Sequence, residues 1–264
     1  VLRYRDAILW GFDNLKKIPI STRLILGIQK KLLPEQSPGY RKTQNRIANS
    51  ATGEVLYTPP PANELPRLLN NWEQFVNNDD DNIDPLVKSA LAHYQFEAIH
   101  PFGDGNGRTG RILVVLYLIQ QKLLSLPILY VSGYINKNRS EYYTLLCKVS
   151  SDERWHEWIL YMLKGFHRQA KETKSTLFKI MELLERTREH VKDKHRKIYS
   201  AELVETVFAY PIITPVNLGK KLDVNYRTAS RYLAELSKGK VLHESYVGKY
   251  HLYANKPLLK LLKQ

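Results

Sequence analysis

Twelve consecutive residues between two predicted helices constrain the fold of this 264-residue chain more than any other segment. They run from His100 to Arg111 and read HPFGDGNGRTGR. The segment before them, Pro85 to about Ala98, starts with a capping Asp84 and a proline at the first helical position. An apolar-periodic segment from about Arg108 to Lys122 follows them. The pattern therefore predicts a glycine-rich loop held between two helices.

The loop combines residue types that bind phosphate. Gly103, Gly105 and Gly107 alternate with polar residues, so that backbone N–H groups can converge on an anion at a helix N-terminus. Arg108 and Arg111 lie three residues apart in the first helical turn and supply forked donors for phosphate oxygens. This pattern favours a polyphosphate site.

Two further side chains flank the glycines. His100 offers a proton acceptor, and Asp104 offers a hard oxygen ligand for Mg²⁺. Each also has a structural interpretation, since Asp104 can cap a helix and His100 can pack in the core. Their presence together within twelve residues favours a Mg²⁺-bound polyphosphate beside a general base.

This segment resembles the signature of the Fic family, HPFx[D/E]GN[G/K]RxxR, at every specified position. The resemblance extends over about residues 1 to 170 through LAHYQFEAI, GYRKTQNRIA, TPPP and EYY. It implies an all-helical domain with a β-hairpin flap. It also implies transfer of AMP from ATP to a Tyr, Thr or Ser hydroxyl of a target protein or of the enzyme itself. Removal of AMP at the same site is an alternative direction.

The resemblance implies a role for each loop residue. His100 would be the general base, Asp104 would hold Mg²⁺, and Phe102 would point into the core. The phosphate-binding residues would be Asp104, Gly105, Asn106, Gly107, Arg108 and Arg111. Among these, the Asn106 side chain would contact a phosphate oxygen. Arg108 would contact the β-phosphate side and Arg111 the γ-phosphate.

The segment Pro38 to Pro61 differs from its helical surroundings. It has two short β-like pieces around a Thr-Gly turn and ends in three prolines, which are incompatible with a helix. The resemblance implies a flap that binds the target peptide as an added strand. The flap residues would be Gln44, Asn45, Arg46, Ile47 and Ala48. Alternatively, Arg41, Lys42 and Arg46 are solvated charges on an exposed hairpin.

Other features that the family resemblance brings in are an adenine pocket and an inhibitory motif. Tyr142 and Tyr143 match a tyrosine pair that lines the pocket in relatives, although core packing is an alternative for each. Ser150 stands where some relatives have Asn. No glutamate here is followed by Gly or Asn, so the inhibitory pattern [S/T]xxxE[G/N] is absent. We expect it upstream of Val1, which leaves Arg111 free for ATP and the chain constitutively active.

Most of the remaining chain is predicted to be helical. Helical periodicity marks Ile20 to Leu33, with Ser21 and Thr22 as possible caps, Glu64 to Asn77 and about Ser140 to Lys148. A Pro127-containing connection precedes the last of these. A highly charged stretch from about Glu153 to Lys194 is predicted as one helix or two. The fold class is therefore mainly α.

Charge divides the chain unevenly. The formal net charge is +14, of which residues 1–163 carry +3 and residues 164–264 carry +11. We therefore expect a Fic domain over residues 1–163, a helical linker over 164–197 and a second domain over 198–264. In this last region a helix, a second helix, a turn, a third helix and a short hairpin resemble a winged helix-turn-helix domain.

The winged-helix resemblance implies DNA as a further partner. Arg227 and Arg231 would face the major groove from the second helix of the motif, and residues 195–264 carry a net charge of +7. A protein-interaction module is the alternative, and a DNA-binding regulator whose Fic site senses nucleotide or modifies itself is the alternative function. The sequence leaves the oligomeric state open, and a homodimer is compatible with it.

Cysteine content and hydropathy bear on the compartment. The single cysteine, Cys147, forms no internal disulfide. The longest apolar run, Ile112 to Ile119, is too short to span a bilayer. We therefore expect a cytoplasmic protein without a membrane partner, and the initial Val1 suggests that sequence upstream is missing.

Overall fold

The computed structural model describes residues 2–36, 39–48, 53, 55–248 and 250–262. By contacts the chain divides into two compact units, Val1–Lys171 and Glu172–Gln264. Among the described residues, no helix combines the length and the apolar character that a membrane crossing requires. The mainly α fold class is confirmed.

The described residues of the first unit are mainly helical and include one short hairpin. Its helices are α1 (Leu2–Leu15), α2 (Thr22–Leu32), α3 (Leu65–Asn77), α4 (Pro85–Ile99), α5 (Asn106–Gln120), α6 (Val131–Lys137) and α7 (Arg139–Asp152). A 3₁₀ turn, Ala62–Glu64, precedes α3. The helix α8 (Trp155–Lys194) is one uninterrupted helix, which decides between the one-helix and two-helix alternatives. Helix α6 lies in the connection around Pro127, where no helix was predicted.

Helices α4 and α5 form the centre of the first unit. The apolar run of α5 is buried on all sides, with every residue from Ile112 to Leu118 no more than 4% exposed. Two buried indoles, of Trp72 and Trp158, donate hydrogen bonds to the Ala92 and Ala90 carbonyls of α4 at 2.8 Å each. The loop between α4 and α5 is therefore held by two helices that the core fixes in place.

Capping residues begin the helices where the sequence indicates. Asp84 Oδ1 accepts hydrogen bonds from the backbone N–H groups of Leu86 and Val87 at the start of α4. Ser21 caps α2 in the same way through the N–H of Leu24. The predicted helix starts at these two positions are confirmed.

The flap hairpin pairs β1 (Ile47–Ala48) with β2 (Val55–Tyr57) in antiparallel orientation. Ile47 is opposite Tyr57 and Ala48 is opposite Val55, with an irregular register between the two pairs. Thr52 of the predicted turn lies outside the described residues, and Gly53 has a φ of +73°. The predicted pair of short strands is confirmed.

After the last part of α8, the described residues of the second unit form four shorter helices and a three-stranded sheet. Its helices are α9 (Ala201–Ala209), α10 (Pro215–Leu222), α11 (Tyr226–Lys238) and α12 (Lys256–Leu262). The strands are β3 (Ile212–Ile213), β4 (His243–Val247) and β5 (Tyr250–Ala254), in the order β3-β5-β4 with both pairs antiparallel. The predicted order of helices, turn and hairpin is confirmed, whereas β3 and α12 were not predicted.

Candidate functional site

The predicted phosphate-binding loop ends at the N-terminus of α5, with a glycine on each side of Asn106. Gly105 precedes the helix with a φ of +85°, a conformation that residues with a Cβ rarely adopt. A Cβ on Gly107 would lie 3.0 Å from Nη1 of Arg111. Because the first N–H groups of a helix have no intrahelical acceptor, this turn is able to bind an anion.

The Asn106 side chain faces the protein and not the loop opening. Its Oδ1 accepts a hydrogen bond from the Phe102 N–H at 2.9 Å, and its Nδ2 donates to the Phe102 carbonyl at 2.8 Å. Asn106 is 2% exposed, and Phe102 is fully buried in the core, as predicted. The expected contact between the Asn106 amide and a phosphate oxygen is therefore not available in this arrangement, and Asn106 shapes the loop.

We expect Asn106→Ala to destabilise the first unit by about 2 to 3 kcal/mol, because two backbone groups of Phe102 lose a buried partner. Thermal or urea unfolding of the whole chain measures this loss. Asn70→Ala, on the exposed face of α3, is the matched control and should unfold like the unmodified chain. Equal stability of the two variants would contradict the structural role.

His100 ends α4 in a left-handed conformation, with φ +48° and ψ +58°. Its Nδ1 lies 3.2 Å from the Glu97 carbonyl oxygen. Because a carbonyl can only accept, the proton of the neutral ring is on Nδ1 and the lone pair is on Nε2. Burial lowers the pKa of His100, and the Glu97 carbonyl partly opposes this shift. The ring is therefore neutral near pH 7.

Arg41 connects the flap segment to the end of α4. It is 8% exposed, and its Nε donates to the His100 carbonyl at 3.0 Å. The same guanidinium donates to the carbonyls of Ile99, Thr43 and Pro60. The interpretation of Arg41 as a solvated charge is therefore wrong. The sequence carried no signal for this contact, because its partners are backbone carbonyls 58 and 59 residues away.

Two of the predicted flap residues hold the flap itself. Gln44 Nε2 donates to the Pro59 carbonyl at 2.7 Å, and Asn45 Nδ2 donates to the Phe102 carbonyl at 3.3 Å. The other three predicted flap residues, Arg46, Ile47 and Ala48, line a cavity in front of the loop. The flap therefore divides into a supporting part and a part that faces the site.

This cavity, of about 310 Å³, brings together most of the predicted site. The predicted residues in its wall are Arg46, Ile47, Ala48, His100, Gly107, Arg111, Tyr142 and Tyr143. Its volume is in the range of small-molecule sites. The predicted residues that do not line it are Gln44, Asn45, Asp104, Gly105, Asn106 and Arg108. The wall also contains Glu97, which the sequence analysis did not single out.

The two arginines of the loop have different surroundings. Arg111 lines the cavity, and its Nε donates to Ser132 Oγ at 2.9 Å, which fixes the near end of the guanidinium. Arg108 forms an exposed ion pair with Asp104, at 3.0 Å between Nη2 and Oδ2. Such an exposed pair contributes little to stability, so a ligand can compete for both partners.

Asp104 is the one predicted metal ligand, and its surroundings allow that role. Its Oδ1 accepts from the Gly105 N–H at 2.6 Å, while the carboxylate is more than half exposed. No group of three or more His, Cys, Asp or Glu side chains within the described residues could hold a metal ion. The exposed Asp104 carboxylate fits Mg²⁺, which binds through one or two carboxylates together with substrate phosphates and water.

The tyrosine pair combines the two alternatives that the sequence left open. Tyr142 is 2% exposed and its hydroxyl lies 2.9 Å from Nε2 of the buried His93, so it is a core residue that also reaches the cavity wall. Tyr143 is more exposed, with the Arg139 guanidinium 5.5 Å from its ring centroid. Ser150 lines the same cavity and pairs with the Tyr94 hydroxyl at 2.8 Å.

In the second unit, Arg227 and Arg231 lie one turn apart on the exposed face of α11. The opposite face of this helix buries Ala229, Leu233 and Leu236. Helix α10 packs against α11 after a turn at Asp223, which has a φ of +50°. The two arginines are thus presented outward by a helix that the core of the unit holds.

The first unit is a helical domain in which a helix ending in histidine and a helix starting after glycine meet at one cavity. Residues 19–118 match the model of the Fic/DOC family. Residues 183–258 match a second model, described as the C-terminal domain of SoFic-like protein adenylyltransferases. The similarity to the Fic/DOC family therefore concerns residues 19–118, and the similarity to SoFic-like adenylyltransferases concerns a separate segment.

Two relatives are similar to slightly less than half of this chain. A probable protein adenylyltransferase of Aquifex aeolicus is 35% identical over 126 residues, which is 47% of this chain and 38% of the relative. The protein adenylyltransferase Fic of Drosophila grimshawi is 31% identical over 124 residues, 45% of this chain and 23% of the relative. The matched segment therefore spans well under half the length of these relatives.

A solved structure supports the fold. A Fic family protein from Desulfovibrio desulfuricans superposes with a TM-score of 0.57 at 19% identity, over 96% of this chain and 74% of that one. At this identity the similarity concerns the fold alone.

Proposed function

We propose that this chain is a protein adenylyltransferase, which transfers AMP from ATP to a Tyr, Thr or Ser hydroxyl of a target protein or of itself. The observation that carries this proposal is the cavity that joins His100, Arg111 and the N-terminal turn of α5 to the flap strand β1. Relatives named protein adenylyltransferases support it. A hydroxyl bound along the flap and a triphosphate bound on the turn would meet beside His100.

In this proposal His100 is the general base. Its Nε2, which carries the lone pair, removes the proton of the acceptor hydroxyl as the oxygen attacks the α-phosphorus. The bond from the α-phosphorus to the bridging oxygen then breaks, and pyrophosphate leaves. Arg41 donates a hydrogen bond to the carbonyl of His100, which links the flap segment to the base.

The remaining residues bind and orient the triphosphate. The N–H groups of the first turn of α5 bind phosphate oxygens, and the Arg111 guanidinium neutralises the distal phosphates. Asp104 would hold Mg²⁺. The positive charge of the metal, when bound, would offset the negative charge of the leaving pyrophosphate. Tyr143, Ser150 and the inner edge of Tyr142 would surround the adenine. Catalysis would thus come mainly from positioning and electrostatics.

The flap would position the acceptor. Strand β1 is two residues long, and Ile47 and Ala48 lie in the cavity wall. An extended target peptide pairing with this strand would bring a hydroxyl toward His100.

Labelled ATP tests the reaction class. The chain is incubated with Mg²⁺ and with ATP labelled at either the α- or the γ-phosphate, and the label on protein is measured. Adenylyl transfer leaves only the α-label on protein, whereas phosphoryl transfer leaves only the γ-label. Transfer of the γ-label, or of neither label in the presence of candidate targets, would contradict the proposal.

A second candidate function rests on the exposed pair Arg227 and Arg231. We propose a winged helix-turn-helix domain over residues 198–264, joined by the helical linker 164–197 to a Fic domain over 1–163, with DNA as its partner. The net charge of +7 on residues 195–264 supports a polyanionic partner.

We expect the double variant Arg227→Ala with Arg231→Ala to bind duplex DNA at least about tenfold more weakly at 0.1 M salt. Two lost phosphate contacts also reduce the slope of log affinity against log salt by about 2. Fluorescence anisotropy over a salt series measures both quantities. The matched control, Arg186→Ala with Arg188→Ala, removes the same charge from residues paired with glutamates on α8. The same loss in both variants would indicate that only total charge matters.

A further inference from the structure

Glu97 is a buried carboxyl in the wall of the nucleotide cavity. It precedes His100 by three residues on α4, is 7% exposed, and lines the cavity together with Arg111. Its Oε1 is fully buried without a hydrogen-bond partner. The roles proposed above do not use this side chain, although it faces the same space as the base and the phosphate-binding arginine.

The fold makes room for this carboxyl. A Cβ on Gly110 of α5 would lie 2.4 Å from the Glu97 Oε1, closer than any real contact of that kind. The absence of a side chain at Gly110 therefore lets α4 and α5 approach with the carboxyl between them. A carboxyl in this position is costly to ionise, because it is removed from water and lacks donors.

Titratable and charged groups share the cavity wall with Glu97. They are Arg46 and Tyr57 from the flap, Tyr94 from α4, His100 at its end, Arg111 from α5, and Tyr142, Tyr143 and Cys147 from α7. The ring of His93 lies with the Glu97 carboxyl beside Gly110. Burial lowers the pKa of His93 to about 3 and raises that of Tyr142, so both stay neutral near pH 7. Burial raises the pKa of Glu97 to about 7, and Arg111 is the cation that opposes this shift.

The charge state of Glu97 therefore bears directly on Arg111. Ser132 holds Nε of Arg111, and within the described residues its two terminal nitrogens make no hydrogen bond. An ionised Glu97 attracts the guanidinium and repels an incoming triphosphate. A protonated Glu97 does neither, so a triphosphate and an ionised Glu97 compete for one cation.

We propose that Glu97 is a positioning residue that acts through Arg111. When ionised, its carboxylate attracts the Arg111 guanidinium. When protonated, it leaves Arg111 available to the distal phosphates of the nucleotide. This inference rests on the proposed function, because it assumes that ATP binds in this cavity. It adds a pH-dependent control of nucleotide affinity that is internal to the catalytic unit.

The sign of the effect follows from linkage. Because the nucleotide prefers the protonated carboxyl, binding takes up a proton, and affinity falls as pH rises through the pKa of Glu97. With that pKa at about 7, the protonated fraction at pH 8 is about a tenth of that at pH 6. Affinity for a triphosphate should therefore weaken about tenfold over this interval.

The experiment measures binding of α,β-methylene-ATP with Mg²⁺ to the whole chain by calorimetry, from pH 6 to pH 8. Between pH 6 and pH 8, the affinity of the unmodified chain should fall about tenfold more than that of Glu97→Gln. This variant keeps the shape of the side chain without the charge. Titration of the nucleotide and of His100 is common to both proteins and cancels in this comparison. Glu141→Gln, an exposed residue of α7, is the control and should behave like the unmodified chain.

Two further measurements separate this role from a structural one. AMP lacks the distal phosphates, so its affinity should show no difference in pH dependence between the unmodified chain and Glu97→Gln. Binding of the ATP analogue to the unmodified chain near pH 8 should take up protons, which calorimetry in buffers of different ionisation enthalpy measures. This uptake should exceed the uptake measured when AMP binds to Glu141→Gln. This second test needs no variant at Glu97.

Several results would overturn the proposal. Identical pH dependence of analogue binding in the unmodified chain and Glu97→Gln would do so, as would the absence of excess proton uptake. An equal pH effect on AMP would mean that Glu97 does not act through Arg111. Failure of ATP analogues and AMP to bind at any pH would instead remove the proposed function, and this inference with it.

Discussion

Replacing His100 by Ala should lower α-label transfer from ATP by about 10² to 10⁴-fold, because the acceptor hydroxyl then loses its proton acceptor. Nucleotide affinity should change little, since the phosphates are bound by backbone N–H groups and Arg111. The matched control is His156→Ala, an exposed histidine on α8. Initial rates of label transfer to protein measure the difference.

The backbone of His100 requires a second variant. The residue has a φ of +48°, which Ala tolerates poorly, so a loss in His100→Ala could reflect strain in the loop. Asn adopts this conformation more readily and is not a base at neutral pH. His100→Asn should therefore lose activity as fully as His100→Ala. Recovery of transfer in the Asn variant would contradict the role of the ring as the base.

The pH profile gives an independent check on the same residue. Burial lowers the pKa of His100 below 6.5, the ordinary pKa of histidine. Half of the imidazole is therefore protonated only at a pH below 6.5. The acid limb of transfer activity should therefore lie below pH 6.5. An acid limb centred above this value would indicate that another group limits the reaction.

Replacing Arg111 by Ala should raise the KM for ATP by about 10- to 100-fold, the loss of a charge-assisted contact worth roughly 1.5 to 3 kcal/mol. Arg108→Ala should have a clearly smaller effect. Arg108 is exposed, already paired with Asp104, and outside the cavity wall, whereas Arg111 lines it and is held by Ser132. Steady-state kinetics with varied ATP measures both changes.

Arg111→Lys serves as the conservative variant. Lysine keeps the charge but lacks both the planar fork and the Nε–H group that donates to Ser132, so it should recover only part of the affinity. An effect of Arg108→Ala as large as that of Arg111→Ala would contradict this difference and would favour the arrangement that the resemblance implies, in which Arg108 contacts the β-phosphate side and Arg111 the γ-phosphate.

Local signals explain why so much of the fold was predictable. Asp84 and Ser21 cap helices through bonds to N–H groups two or three residues away, so their sequence neighbours suffice. The glycine-rich loop is equally local: Gly105 precedes α5 because the chain turns there with a positive φ. Short elements without such signals, such as α6 and β3, were missed.

Contacts between distant segments were not predictable. Arg41 lies in a segment whose composition is typical of an exposed hairpin. Its guanidinium is nevertheless buried against backbone carbonyls near residue 100. Asn106 belongs to a phosphate-binding motif, yet its amide binds the Phe102 backbone. In each case the side chain alone is compatible with both positions, and the packing of another segment selects one.

The sequence by itself determined which chemical groups are available and their local arrangement. Twelve residues contain a histidine, two arginines, an aspartate and a helix that begins after a glycine. The tertiary structure decided which of these groups face one cavity. It directs Arg111 inward and leaves Arg108 with Asp104, and it encloses Glu97 against Gly110. The physical reason is that burial and charge are properties of the assembled core, because removal from water depends on neighbours that lie far apart in the sequence.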